Sequence, residues 1–266
     1  MKANDKVIVV TGGGNGVGRE LVLKLLEKGA SVAAVDINKQ ALEETMRIAG
    51  NTPKLSLHVF DITNNEAIPR LVDEVVAKYG KVDGIINNAG IIQPFIELKE
   101  LKFDQIDRVM NVNYYGTLNM IKAFLPILQK RPEAHIVNIS SMGGFLPVPG
   151  QTVYGASKAA VRMLSEALYA ELINTNIHVT VVIPGGIATD IKKNSNASSK
   201  SATKEEKNSK ILLSSAKAAS LILKGMETNK YKMIIGMDAN LMHLLYSFSP
   251  KAAISLMNKV MASNNH

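Results

Sequence analysis

The sequence predicts an α/β fold, an open and mainly parallel sheet with helices on both faces. Three observations predict it. Short apolar runs rich in β-branched residues alternate with amphipathic helical stretches along the whole chain. The runs are continuously apolar, as suits strands covered on both faces. The first run stops at a glycine cluster that opens onto a helix, an arrangement common where such sheets bind ligands.

The elements run in order. "VIVV" (Val7 to Val10) is the first strand, "VAAVD" ends the second at Asp36, and "LSLHVFD" ends the third at Asp61. "DGIINNAG" starts at Asp83, "AHIVNISS" at Ala134, "HVTVVIPGG" at His178 and "KMIIG" at Lys232, which makes seven strands. Helices are expected over Arg19 to Lys28 (Leu21, Leu25 and Leu26 on one side), Asn64 to Tyr79, Asp104 to Gln129, Thr152 to Asn174 and Ser214 to Thr228. The apolar segment from Ala239 to Ala262 reads as a helix packed on the body. An oligomer contact, a substrate-pocket wall or a membrane-facing patch are its alternatives. No repeat or linker divides the chain, so residues 1–266 are expected to form one domain, with 239–266 as a C-terminal helical extension.

Composition narrows the function. No cysteine is present, which excludes disulfides, thiolate metal sites and cysteine nucleophiles and suits a reducing compartment, here expected to be the cytoplasm. The N-terminal apolar run is shorter than a secretory signal core, and no run approaches the roughly 20 residues of a membrane span. Of the net charge of +8, half comes from Lys192 to Lys210, where six lysines face two glutamates. That stretch reads as a solvated loop, and with no aromatic interleaved it gives no support to nucleic-acid binding. The five histidines are scattered and form no metal spacing, so no metal is expected.

"TGGGNGVG" (Thr11 to Gly18) joins strand to helix. Outward N–H groups, the helix dipole and missing Cβ atoms make such a turn an anion site. The glycines fit T-G-x-x-x-G-x-G through Gly12, Gly16 and Gly18, not G-x-G-x-x-G. A dinucleotide is the expected ligand, and the fold is then Rossmann-type and doubly wound. Asp36 lies 18 residues beyond Gly18, where a carboxylate accepts from the adenosine ribose of NAD and repels the 2′-phosphate of NADP. Neither Ile37 nor Asn15 offers a positive charge, so NAD(H) is favoured over NADP(H). Asp61 closes the third strand in a similar place, facing the adenine amino group. Val17 and Ile62 complete the expected cofactor contacts on this side.

"YGASK" sets Tyr154 and Lys158 on one face of a helix, one turn apart, with small residues between. A phenol has a pKa of about 10, and a neighbouring cation favours the phenolate, so Lys158 is expected to tune Tyr154 as an acid/base. Here the sequence resembles the short-chain dehydrogenases/reductases, over roughly Lys6 to Thr189 with the strand near Ile234 extending the match. The carrying motifs are "TGGGNGVG", "NNAG" (Asn87 to Gly90), "NVNYYG", "NISS", "YGASK" and "PGGIAT", in order. The resemblance implies Asn113, Ser141, Tyr154 and Lys158 as the catalytic set. Ser141, 13 residues before Tyr154, would bond the substrate oxygen. Lys158 would hold the nicotinamide ribose, and Asn113 would sit on a water-linked proton path to it. Asn88, Ala89 and Gly90 would line the adenosine side of the cofactor, and Pro184, Gly185, Ile187 and Thr189 would surround the nicotinamide.

The same resemblance implies a lid over 191–213, pocket walls at Gly143 to Gln151 and Ile92 to Phe95, and a homodimer or homotetramer. Leu118, Ile121, Phe124 and Leu125, with Val161, Leu164, Leu168 and Leu172, are its candidate contact faces, some of which must cover the sheet instead. Ser141, Met142, Gly143, Val148 and Tyr154 are the expected substrate contacts, and Met142, Phe145, Leu146 and Val148 suggest an apolar pocket. The expected activity is interconversion of a secondary alcohol and a ketone, or of a primary alcohol and an aldehyde, on a small apolar molecule. An NADPH-dependent carbonyl or 3-oxoacyl reductase is one alternative. A nucleotide-binding sensor or scaffold with weak turnover is another, and membrane association is not favoured.

Overall fold

The computed structural model describes residues 1–188, 195 and 212–263. Thr189, most of the expected lid and nearly all of the lysine-rich stretch lie outside the described residues. Seven strands, β1 (Val7–Thr11), β2 (Ser31–Asp36), β3 (Leu55–Val59), β4 (Gly84–Asn87), β5 (Ala134–Ile139), β6 (Ile177–Pro184) and β9 (Lys232–Ile235), form one sheet in the order β3-β2-β1-β4-β5-β6-β9. Every pairing is parallel. Order reverses between β1 and β4, the switch point at which open α/β sheets bind ligands beyond the strand ends. Two short strands, β7 (Ile187–Ala188) and β8 (Leu213–Ser214), pair beside it.

Alternate strand residues feed two cores, because successive side chains point to opposite faces. Ile8, Val10, Val32 and Ala34 meet α1 (Gly16–Glu27), α2 (Lys39–Ile48) and α7 (Ser215–Glu227) through Leu21, Leu25, Leu42, Ile222 and Leu223. Val7, Val9, Ala33 and Val35 share the other core with α3 (Ile68–Tyr79), α5 (Gly116–Leu128) and α6 (Thr152–Leu172), through Leu71, Val75, Ile121, Phe124, Leu168 and Leu172. The last four were candidate subunit contacts; they cover the sheet, and Val161 is buried too. The apolar side chains that do face solvent near there are Tyr115 and Met163.

Three parts of the chain depart from expectation. Helix α2 has no counterpart in the sequence reading, for its buried residues are only Leu42 and Thr45. The single helix expected over Asp104 to Gln129 is α4 (Phe103–Met110) and α5 joined by a π-turn at Asn111–Tyr115. A π-turn inserts an extra residue and rotates the helix beyond it. The C-terminal segment is two helices, α8 (Met237–Phe248) and α9 (Pro250–Ser263). Met242, Leu245 and Tyr246 of α8 and Ala253 and Met257 of α9 pack with Phe145 and Leu146, which ties this segment to the loop after β5. Met237, Leu241, Leu244 and Phe248 form an exposed stripe on α8. Among the described residues no helix is long and apolar enough to cross a membrane.

Candidate active site

The glycine turn is shaped by how tightly β1, α1 and β4 meet. Buried Thr11 accepts hydrogen bonds at Oγ1 from the N–H groups of Asn88 and Ala89, both 3.0 Å, and so ties the ends of β1 and β4 together. Gly12 has φ +68, and a Cβ there would lie 2.9 Å from Asn88 Nδ2 and 3.1 Å from Ala89 Cα. A Cβ on Gly18 would collide with the Gly12 carbonyl oxygen. Glycine is required at both places for close backbone approach. Asn15 caps α1, accepting from Gly16 N–H at 3.1 Å.

The α1 N-terminus faces a cleft of about 820 Å³. Gly12, Asn15, Gly16, Val17, Asp36, Ile37, Asp61, Ile62, Asn88, Ala89 and Gly90 all line it. Gly18 does not; it is buried beneath the turn and acts by letting α1 approach. The Asp36 carboxylate accepts from Gly14 N–H and from Asn38 N–H, each at 3.0 Å, so it also fixes the turn. Ile37 is 68% exposed and apolar beside it. Arg19, the cation nearest the turn, is directed to the carbonyl of Gly14 at 2.6 Å and to Thr45 Oγ1 at 3.1 Å. Arg108 lines the far wall with Asp104 and Asp107. Helix N-terminus, glycine cradle and flanking carboxylate together fit a dinucleotide.

Past Gly90 the cleft nears a second group of side chains. A Cβ on Gly90 would stand 3.1 Å from Lys158 Nζ and 3.2 Å from Asn113 Oδ1, so glycine lets both approach. Asn113 is buried in the π-turn; its Oδ1 accepts from Ile91 N–H at 2.8 Å, and its Nδ2 donates to Ile91 O and to Ser157 Oγ, both 2.9 Å. Lys158 Nζ donates to the Ile139 carbonyl at 2.9 Å. Ser141 Oγ accepts from Gly143 N–H at 3.1 Å. Gly143 also lies against the Tyr154 ring, where its Cβ would be 3.4 Å from Cε1. Ser140 is turned inward and donates to Lys158 O at 2.7 Å, which leaves Ser141 as the serine beside Tyr154.

Burial governs the ionisation of this group. It raises the Tyr154 phenol above its ordinary value, and a hydrogen bond with Ser141 acts in the opposite direction. It lowers the Lys158 ammonium to about 8. Lys158 is not among the causes acting on the phenol, contrary to the expectation that it holds the phenol down. Desolvation dominates both groups, and Nζ is anchored on a carbonyl. Among the described residues no group of three His, Cys, Asp or Glu side chains is placed to hold a metal.

The comparisons with known proteins agree with this geometry. The family model described as short chain dehydrogenase matches residues 6–200. The chain is a member of the short-chain dehydrogenase/reductase family. The Mycobacterium tuberculosis protein SadH, an oxidoreductase by inferred assignment, is 35% identical to this dehydrogenase over 247 residues, covering 90% of this chain and 89% of that one. A Burkholderia cenocepacia short chain dehydrogenase solved with NADP aligns with TM-score 0.80 at 28% identity, covering 97% of this chain and 99% of that one. A Burkholderia phymatum short chain dehydrogenase/reductase solved with NAD aligns with TM-score 0.80 at 25% identity, covering 88% and 90%. The chain is thus an oxidoreductase with a fold that binds NAD(P), from a family acting on alcohol or carbonyl groups of small molecules and typically oligomeric.

Leu146 is wholly buried in the C-terminal core, and partly buried Met142 packs against the same cluster. Gly143 and Val148 border a cavity of about 450 Å³ with Gly155, Ala159 and Ile254. Gly155 and Ala159 directly follow Tyr154 and Lys158, about 100° round α6 from them. Pro184 ends β6 buried, Gly185 comes after it, and Ile187 packs on the α1/α7 core.

Sequence reasoning missed Gln93. No side chain local to α6 caps its start. Buried Gln93 reaches across instead: its Oε1 accepts from Val153 N–H at 2.8 Å and Tyr154 N–H at 3.0 Å, and its Nε2 donates to Gly150 O at 3.0 Å. The helix carrying the phenol is thereby capped from the loop after β4. A glutamine within "IIQPF" was the available signal, since a buried amide needs partners.

Proposed function

We propose that this dehydrogenase interconverts an alcohol and a carbonyl compound with NAD(H), most naturally a secondary alcohol and its ketone, on an apolar substrate. The observation that carries the reading is the gathering of Ser141, Tyr154 and Lys158 beyond β5, at the end of the cleft that begins at Asp36. A bound nicotinamide supplies the hydride acceptor or donor. Tyr154 holds the proton exchanged with the substrate oxygen: in oxidation its phenolate takes the hydroxyl proton as hydride leaves the carbon, and in reduction the phenol returns it. Ser141 hydrogen-bonds that oxygen. Lys158 bonds the ribose hydroxyls and contributes positive charge near the phenol. Asn113 fixes Ile91 and Ser157 and keeps the Lys158 side of the site in order. Pro184, Gly185 and Ile187 border the nicotinamide.

Asp36 supports NAD over NADP, because its carboxylate and exposed Ile37 stand where a 2′-phosphate would need a cation. The NADP-bound B. cenocepacia relative keeps an NADPH-dependent reductase as the second reading. The described residues act as one catalytic unit, with the α8–α9 extension closing the substrate side. Exposed Tyr115 and Met163 suit a dimer or tetramer contact, which light scattering tests.

The decisive experiment tracks the absorbance of reduced cofactor with NAD and a panel of secondary alcohols. Wild type should turn over and Tyr154→Phe should not. Survival of activity in that variant removes the role given to Tyr154, and tighter binding of NADPH than NADH overturns the cofactor preference.

A further inference from the structure

Gly185 and Gly186 leave β6 and lead into β7, and one carboxylate stands against both. Asp238, in the first turn of α8, gives its side chain to this turn instead of to its own helix. Its Oδ2 accepts from Gly186 N–H at 2.6 Å. Its Oδ1 is buried and takes no hydrogen bond. A Cβ on Gly185 would collide with both carboxylate oxygens, and a Cβ on Gly236, where φ is +103, would lie 2.5 Å from Oδ1. Two glycines from opposite ends of the chain segment thus make room for a single side chain.

The turn it holds is a junction. Gly185 N–H donates to Ile235 O at 2.8 Å, and Leu213 N–H donates to Gly186 O at 3.0 Å. Ile187 pairs with Leu213 and Ala188 with Ser214, so both ends of the segment between β7 and β8 are anchored here. A surface aspartate at a helix start ordinarily keeps its carboxylate in water. This one gives up solvation, with one oxygen unpaired, to reach the β6 exit. The positive end of the α8 dipole offsets part of that cost.

We propose that Asp238 is a positioning residue for the nicotinamide side of the site. Its carboxylate fixes the Gly185–Gly186 turn and the β7–β8 junction, so the turn has its cofactor-receiving shape only while α8 is docked. The inference rests on the proposal that Gly185 and Ile187 border the nicotinamide.

The test uses the full chain with Asp238→Ala and Asp238→Asn. Asparagine keeps an acceptor for Gly186 N–H without the charge and serves as the milder variant if alanine fails to fold. Amide hydrogen exchange is measured without cofactor, and calorimetry measures affinity for NAD and for ADP-ribose, which lacks only the nicotinamide. In Asp238→Ala, exchange at 185–188 and 212–214 should quicken about tenfold and NAD affinity should fall about tenfold, from loss of one charge-assisted bond. ADP-ribose affinity should stay unchanged, and Asp238→Asn should fall between. Unchanged exchange overturns the inference. Equal weakening of NAD and ADP-ribose also overturns it, because the effect is then general. Faster exchange with unaltered NAD affinity shows the turn to be held but not to receive the nicotinamide, which overturns the positioning role. A wild type that binds NAD no better than ADP-ribose refutes the underlying reading of the site, while the exchange result still reports on Asp238.

Discussion

Replacing Gln93 with leucine removes the whole cap of the helix that carries Tyr154. The side chain makes three hydrogen bonds at 2.8, 3.0 and 3.0 Å, and all three partners are backbone groups. Leucine is close in size, so the change deletes polarity more than volume. Val153 N–H and Tyr154 N–H lose their partner at a place where Gln93 itself is wholly buried, while Gly150 O keeps the hydrogen bond from Gln151 Nε2 at 3.0 Å. Loss of an N-cap costs about 1 kcal/mol, and each buried group left unpaired costs about 1–3 kcal/mol. Those figures overlap, and partial access of water to a helix start reduces them, so a loss of about 2–4 kcal/mol is expected. Gln93→Glu keeps the acceptor, places negative charge where the α6 dipole favours it, and loses only the donor to Gly150; it should cost about 1 kcal/mol. Urea unfolding reads both values from the midpoint at constant slope. Because Tyr154 N–H is one of the capped groups, kcat should fall at least tenfold in Gln93→Leu, as misplacement of a reacting group predicts. A leucine variant within about 0.5 kcal/mol of wild type with unaltered kcat would refute the reasoning, since α6 would then need no cap from this loop.

The remaining predictions are more local. Gly18→Ala forces a Cβ onto the Gly12 carbonyl, so it should lower stability by about 1–3 kcal/mol and abolish NAD binding by calorimetry. Asp36→Ser should weaken NAD about tenfold and narrow or reverse the NAD/NADP affinity ratio, measured by the same method. Buried His135 has its pKa lowered from 6.5 to about 3, chiefly by burial, so the folded protein resists a proton that the unfolded chain accepts. Its contribution is neutral above pH 6.5 and destabilises as pH falls from there toward 3, by about 1.4 kcal/mol per unit, and His135→Gln should flatten that limb of stability against pH. Lys158 has its pKa lowered to about 8 by burial, so NAD affinity should decline as pH rises through 8 and lose that dependence in Lys158→Met.

Much of the molecule was legible because its signals are local. Continuous apolar runs marked the seven strands of the main sheet, and the glycine turn with Asp36 fell on the cleft that both line. Helix α2 escaped because a helix covering a sheet edge needs only a narrow apolar face, here Leu42 and Thr45. The π-turn at Asn111–Tyr115 escaped because one extra residue hardly disturbs apolar periodicity while it still rotates Asn113 relative to a regular helix. Gln93 and Asp238 escaped for another reason. Gln93 acts on Tyr154 across 61 positions and Asp238 on Gly186 across 52, and no periodicity joins such pairs. What the chain does display is their consequence, glycines at 185, 186 and 236 and an amide in an apolar stretch.

Tyr154 and Lys158 mark the limit of spacing as an argument. Four residues apart on a helix puts two side chains on one face, but it does not set their charge. In the folded chain the phenol is pushed up and the ammonium down, and burial is the first cause in both cases. At these positions desolvation outweighs attraction, because an ammonium anchored on Ile139 O is not directed at the phenol and a group out of water disfavours its own charged form. Of the two, only the ammonium lies close enough to neutral pH to be divided between its forms, so added positive charge or an added hydrogen bond beside Tyr154 must lower the phenol before it serves as a base. Ser141 already supplies one such bond. Burial therefore favours the neutral phenol, the form that would donate a proton to a carbonyl in the proposed reaction.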